Sequence, residues 1–401
     1  MTTQTLPQKF RAVEQDVNQV VLDRVDEVHS AMLSLVARQH MFLLGTPGIA
    51  KSMLFDQVVA RIVGANAFKW QLTKFSVPEE VFGGPDLLTL KDSGVYRRIT
   101  EGKLPTAHIG WIDEVFKANS SILNAFLLLI NERQFINPGD DPNVPLMSLF
   151  TASNEMPQST ELEALVDRLL IRHIVHELTD PDLLVQMLAM EPREPEAFLT
   201  LDDLEQAQQE AQQVVIGDNV YEAMLELATK LRKEGITVTD RRLKQSMSII
   251  KAEAYLAGRD VAEVVDTKPL VYVMWRDPSH FETVRKMVLD LADPIEREVL
   301  KLRSELEKAY AEFKAVMDDE DNKHTRAKQA MLTYGYFKKA RAEYSALAEQ
   351  QRESGRHSKA LEDLRRRLKE LAPIILSDGV GVDDDDADEL DKAIENRSEG
   401  F

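Results

Sequence analysis

Phe42-Leu43-Leu44 runs without a break into Gly45-Thr46-Pro47-Gly48-Ile49-Ala50-Lys51-Ser52, and a helical pattern from Met53 to Val63 follows. Strand, glycine-rich loop and helix in that order form a backbone arrangement suited to holding phosphate. Glycines let the chain curl until successive N–H groups face one concavity. The start of the helix adds the positive end of its dipole. Lys51 is placed to reach the β- and γ-phosphates, and the Ser52 hydroxyl to ligate Mg²⁺. The general pattern has glycine just before the lysine, whereas this chain has Ala50. Alanine is the smallest replacement, and the loop is expected to survive it. A plain Gly/Pro turn is the alternative, and Lys51-Ser52 at this offset argues against it.

Two more apolar strands end in polar residues. His108-Ile109-Gly110-Trp111-Ile112 leads to Asp113 and Glu114. Downstream of a phosphate loop, Asp113 would hold Mg²⁺ through its water shell and Glu114 would polarise an attacking water. Leu149-Phe150-Thr151-Ala152-Ser153 ends in Asn154, whose amide could orient that water. A turn-forming Asn is the alternative. Arg168 closes a helical stretch from Leu162, and Arg172 stands close behind it. Either could reach a neighbouring subunit's γ-phosphate; a cation neutralising a helix C-terminus is the alternative. Thr239-Asp240-Arg241-Arg242 opens a later helix, with Thr239 or Asp240 as its cap and Arg241 or Arg242 free to reach phosphates.

Apolar runs at Met41–Leu44, Phe68–Leu72, Ile109–Ile112, Leu146–Ala152 and Leu170–Val175 alternate with helical stretches. This is the pattern of an α/β fold, a parallel sheet flanked by helices. From about 180 to 290 only helical periodicity remains. Ile295, Val299, Leu302, Leu306, Ala309, Phe313 and Val316 then form a heptad seam. Asp318 to Asp321 breaks it. A second helical stretch carries Tyr334, Phe337 and Tyr344, and a third carries Leu361, Leu364, Leu368, Leu371 and Ile375. Three such helices suggest an antiparallel bundle or arm in which the seam packs internally. Expected domains are 1–190, an α/β nucleotide-binding core; 191–292, an all-helical lid; 293–376, a helical extension; and 377–401, an acidic disordered tail.

The net charge of -19 opposes nucleic acid or anionic lipid as a partner. Arg365-Arg366-Arg367 reads as the solvated face of a helix opposite Leu364 and Leu368. With no cysteine, thiolate chemistry and Cys-based metal sites are excluded. His173 and His176, three apart on an expected strand, point to opposite faces and do not suggest a metal site. The N-terminus lacks the apolar core of a signal peptide, and the longest apolar stretch, Ile122 to Ile130, is too short for a membrane span. A soluble cytoplasmic protein is expected.

The order of these pieces resembles an AAA+ ATPase, and the text between them resembles the MoxR family, nearest to its RavA-type subgroup. The resemblance is carried by Val21-Leu22-Asp23-Arg24, Gly45 to Ser52, Phe75 to Gly83, Glu101-Gly102-Lys103-Leu104-Pro105 and Asp113 to Asn119. Ile122-Leu123-Asn124, Asn131-Glu132-Arg133-Gln134-Phe135, Thr151 to Pro157 and Leu162 to Arg168 add to it. It is dense over about residues 15 to 180 and looser to about 290. It implies Walker A at Gly45 to Ser52, Walker B at Asp113 and Glu114, and sensor 1 at Asn154. Arg168 corresponds to the trans-acting finger, with Arg172 still a candidate, and Arg241 to sensor 2, with Arg242 as alternate. Gln71 would couple subunit contacts to Glu114. Segments 80–103 and 134–147 would be loops facing the pore of a homo-hexameric ring. ATP and Mg²⁺ are the implied cofactors. Beyond 290 there is a helical extension without room for the subgroup's folded insertion, so that subgroup's partner habits do not transfer.

The implied function is an ATP-driven remodeller or chaperone of a client protein, working with a von Willebrand factor A domain partner. A nucleotide-gated assembly scaffold with slow turnover is the competing reading, and a nucleic-acid motor, disfavoured by charge, is a third.

Overall fold

Met41, Phe42, Leu43 and Leu44 are all buried, which a strand achieves only with neighbours on both edges and cover on both faces. The computed structural model describes residues 4–157, 159–317, 323–354 and 359–379. The chain divides into two units, Met1–Val288 and Leu289–Phe401.

In chain order the first unit has α1 (Leu6–Asn18), α2 (Val25–Val36), β1 (Met41–Leu44), α3 (Lys51–Val59), β2 (Ile62–Val63), β3 (Ala67–Gln71), α4 (Pro78–Phe82) and α5 (Leu87–Ser93). Next come β4 (Ile109–Asp113), α6 (Ser120–Glu132), β5 (Ser148–Ser153), α7 (Thr160–Arg168), β6 (Ile171–Ile174) and α8 (Pro181–Ala189). The remainder is β7 (Leu199–Thr200), α9 (Leu201–Gln213), β8 (Val215–Ile216), α10 (Asp218–Lys233), α11 (Asp240–Leu256), β9 (Val261–Ala262) and most of α12 (Phe281–Ala292), whose residues from Leu289 fall in the second unit.

Five strands form one parallel sheet in the order β3-β4-β5-β1-β6. They are the five expected apolar runs, β1 with the same ends and the others with ends displaced by at most two residues. β1 lies between β5 and β6, with Leu44 opposite both Ser153 and Ile174. The polar residues after β1, β4 and β5 therefore collect at one edge, the carboxyl ends of adjacent parallel strands, where α/β sheets bind ligands. One face is filled by Phe42, Ile112, Leu123, Phe126, Leu149 and Leu165.

The region after 180 is not purely helical. β7 pairs in parallel with β2, and β8 with β9, each over two residues. Pairings that short leave no alternation in the sequence. Inside segment 80–103, α5 is capped by Asp86, which accepts from the Leu88 and Thr89 amides at 3.2 and 3.1 Å. Segment 134–147 is a hairpin pinned at Gln134 and Asn143. Buried Asn137 binds the two segments together: it accepts from Arg98 N at 2.8 Å and donates to Arg98 O at 3.0 Å.

Helices α9 to α11 attach to the α/β layer through polar contacts. His29 on α2 lies 2.9 Å from Glu14 on α1 and 2.7 Å from Glu253 on α11. Tyr272 donates to Asp26 at 2.7 Å and stacks on His173. Fully buried Arg61 pairs with Asp16 at 2.7 Å, and the same carboxylate accepts from Glu196 N at 2.9 Å.

The second unit is a helical arm, α13 (Pro294–Met317), α14 (Lys323–Ser354) and α15 (Lys359–Gly379). Val299, Leu302 and Leu306 of the heptad seam pack with Phe337, Ala340, Leu361, Leu364, Leu368 and Leu371. The seam is thus covered by its own two following helices. Arg367 is not merely solvated: it holds Glu307 of α13 at 2.6 and 3.0 Å and lies over Tyr310. The acidic break 318–321, the side chain of Ile375 and the acidic run 383–391 lie outside the described residues. Among the described residues no helix is long and apolar enough to cross a membrane.

Candidate nucleotide site

The loop from Gly45 to Ala50 leaves the end of β1 and feeds α3, whose first residue is Lys51. Ala50 adopts φ 62°, the left-handed region, which explains why glycine is the usual occupant. Gly45 is needed for a different reason: a Cβ there would lie 2.5 Å from the Val175 carbonyl oxygen. Thr46, Pro47 and Gly48 are exposed, Ile49 is buried beneath them, and Ser52 is half-buried in the first turn of α3.

Lys51 is buried, and its Nζ donates to the loop carbonyls of Gly45 and Thr46 (2.8 Å to the latter) and to Asn154 Oδ1 at 3.3 Å. Burial pulls the Lys51 ammonium below its ordinary value, against the pull of Asp113 and Glu114. The ammonium therefore sits inside the loop on neutral oxygens, with two carboxylates near. Anionic phosphate oxygens in that loop would be better partners than carbonyls.

Glu114 is buried at 7% exposure and its backbone is also left-handed, φ 53°, which turns its side chain off the line of β4. Its Oε1 accepts from Asn154 Nδ2, and its other oxygen lies 3.3 Å from Lys117 Nζ. Lys117, three residues on, had no role assigned from sequence; its spacing after the acid pair was the available signal. Half-buried Asp113 accepts from Glu114 N at 2.9 Å and stands opposite Gln71 in the register of β3 and β4. Asp113, Glu114, Asn154, Lys51 and Ser52 thus come from two neighbouring strand ends, β4 and β5, and from the start of the helix that follows β1. A glycine that a Cβ would obstruct (Gly45), a second with positive φ (Gly48), a desolvated lysine and hydroxyl and carboxylate oxygens fit a nucleotide with Mg²⁺. Ser52 and Asp113 are the groups that could hold the metal. Among the described residues no separate cluster of three or more His, Asp or Glu could hold an ion.

The arginines separate into two kinds. Arg172 is 1% exposed and its guanidinium donates to the carbonyls of Leu169 (2.9 Å), Trp275 (2.7 Å) and Val166. A side chain held that way is committed within its own chain, and it is a less suitable finger than Arg168. Arg242, 4% exposed, likewise donates to the carbonyls of Leu170 (3.1 Å), Val273 (2.6 Å) and Asp167 (3.1 Å). It too is engaged inside the fold, which favours Arg241 over Arg242 for the sensor 2 position. Arg241 is exposed, whereas Arg168 is half-buried, with a buried Nε that has no hydrogen-bond partner among the described residues. Arg168 donates to Ala164 O at 2.6 Å, and burial together with the Arg241 charge pulls it below its ordinary value. The two cations are therefore neighbours. His173 is buried against Ser30 at 2.8 Å, and His176 is exposed beyond the end of β6.

Residues 8–211 match the MoxR domain found in MoxR–vWA–β-propeller ternary systems, and residues 219–288 match an AAA lid domain. Two uncharacterised proteins of Methanocaldococcus jannaschii are similar. One is 38% identical over 73% of this chain and 77% of its own length, the other 36% identical over 77% and 82%. A crystal structure from Cytophaga hutchinsonii, described as a candidate ATPase, superposes with a TM-score of 0.59 over 71% of this chain and 94% of its own. At 18% identity that likeness shows the fold alone. The sheet, the lid and these matches identify an AAA+ fold, and the chain belongs to the MoxR family of AAA+ ATPases.

Proposed function

We propose that the chain hydrolyses ATP at the edge formed by β1, β4 and β5, as one protomer of a homo-oligomeric ring. The observation that carries this reading is the chain of contacts Lys51–Asn154–Glu114, which joins the phosphate loop to the acid best placed as a base. Family membership supports nucleotide-dependent ATPase activity; the assignment to these residues is ours.

In this reading Gly45 to Ser52 wraps the triphosphate, and Lys51 exchanges loop carbonyls for phosphate oxygens. Mg²⁺, held by Ser52 and Asp113, would neutralise phosphate charge. Glu114, engaged by Asn154 and Lys117 as described, must release one oxygen to take a proton from the attacking water, while Asn154 orients that water. The pair Arg168 and Arg241 completes the site of an adjoining protomer, where positive charge stabilises the transferring phosphoryl group. Turnover then depends on assembly. We further propose that the work is done on a protein client with a von Willebrand factor A domain partner, which the ternary systems of the matching MoxR domain support.

Glu114→Gln tests the site. ATP binding should persist while turnover falls by about 10²-fold or more. A variant hydrolysing at the normal rate would remove Glu114 from the mechanism.

A further inference from the structure

Between the segments that follow α7 and precede α12 lies a small cavity whose lining includes Asp167, Arg172, Thr239, Arg242, Trp275 and Arg276. Its free volume, about 10 Å³, admits one species the size of water or chloride and is far too small for a phosphate group. Arg172 and Arg242 reach it from the buried side. Their guanidinium contacts are backbone carbonyls, which solvate a cation without supplying negative charge. The acids nearby are Asp167, whose carboxylate is 3.8 Å from Arg242, and Glu163, which is engaged by Arg276 at 2.7 Å. Three cations thus meet two acids, with Arg168 and Arg241 adding to the positive field, in a chain whose net charge is -19.

Two consequences appear in the groups themselves. Burial, and then the neighbouring Arg242, pulls Arg172 well below its ordinary value. Trp275, fully buried at 0% exposure, has an indole N–H with no hydrogen-bond partner among the described residues. A buried donor left unpaired costs about 1–3 kcal/mol, and Trp275 is one of the residues that line the arginine-rich cavity.

We propose that this cavity binds a single monovalent inorganic anion of chloride size, paired with Arg172 and Arg242 and accepting from Trp275 Nε1. The anion sits where the loop 273–276 of the lid side meets the 166–172 segment of the α/β side, and it fastens them. The site is independent of the ATPase reading, because neither buried arginine is assigned to the nucleotide.

The test uses the full chain. Protein in sodium gluconate is titrated with sodium chloride or bromide at constant ionic strength, and thermal unfolding is followed. The melting temperature should rise saturably by a few degrees, and Trp275→Phe, which keeps the ring and removes the donor, should abolish the rise. Crystals of the unmodified protein grown in bromide should show an anomalous peak within hydrogen-bond distance of Trp275 Nε1. An equal melting temperature in gluconate and chloride overturns the proposal, as does an unchanged halide response in the Phe variant. A water in place of bromide overturns it even if that variant fails to fold. ATP turnover lost by Glu114→Gln would leave all three outcomes unaffected.

Discussion

Asn154 on the loop after β5 donates its amide to the carboxylate of Glu114 after β4, while its oxygen accepts from Lys51 at 3.3 Å. One side chain thereby touches both the glycine-rich loop and the proposed base. Asn154→Ala leaves Glu114 to Lys117 alone, 3.3 Å away. Phosphate release should fall by about 10²-fold, with a much smaller change in nucleotide affinity. Equal turnover by variant and parent protein would exclude Asn154 from the reaction.

Arg168 and Arg172 should respond oppositely to truncation. Arg168→Ala removes a half-buried cation that makes one backbone hydrogen bond, so turnover should drop by about 10²-fold or more while stability changes by about 1 kcal/mol or less. Arg172→Ala strands the carbonyls of Val166, Leu169 and Trp275 and should destabilise by about 3 kcal/mol or more. Mixing Arg168→Ala with Glu114→Gln tests the trans arrangement: activity should partly return, since some interfaces pair an intact acid with an intact arginine. No recovery in mixtures shown to co-assemble would place Arg168 outside a neighbour's site.

Stability should peak near pH 6.5, the unperturbed histidine value. Burial drives His173 down to about 3 and His40 well below its ordinary value. An unfolded chain therefore gains protons on these groups first, and stability is lost as pH falls from about 6.5 toward 3. His29 is the reverse case: burial opposes its charge, but Glu253 and Glu14 raise it well above 6.5. Its contribution is full below about 6.5 and disappears as pH rises through the folded value. Burial raises Glu27 to about 7 in the same sense, present below its ordinary 4.5 and lost on crossing 7. Melting curves from pH 4 to 9 should show both limbs; His29→Asn should flatten the alkaline limb, and Glu27→Gln should raise the melting temperature at pH 8 by a few degrees. A symmetric profile unaffected by either substitution would contradict this assignment.

The loop offers a matched pair of small changes. Gly45→Ala would push a methyl to 2.5 Å from a backbone oxygen and 2.6 Å from Ile49, so nucleotide affinity should fall at least tenfold. Ala50→Gly relieves a left-handed alanine and should be neutral or stabilising by up to about 1 kcal/mol. Isothermal titration and melting measurements on the two variants distinguish close approach from backbone strain.

The anion loop, the acid pair after β4 and Asn154 were legible because each is a contiguous stretch in which a strand ends and a polar residue follows. The heptad seam was legible for the same reason, since its period is written into consecutive turns. The two-residue pairings of β2 with β7 and β8 with β9 leave no such trace. Nor could spacing choose between Arg168 and Arg172 or between Arg241 and Arg242, because neighbouring arginines look alike until something covers one of them. Trp275, about a hundred residues downstream, does that for Arg172, and Val273 and Leu170 do it for Arg242. Local chain order put the glycine loop, the acid pair and Asn154 at strand ends, whereas burial by distant segments decided which arginines are covered, because the environment of a charge is set by everything folded around it.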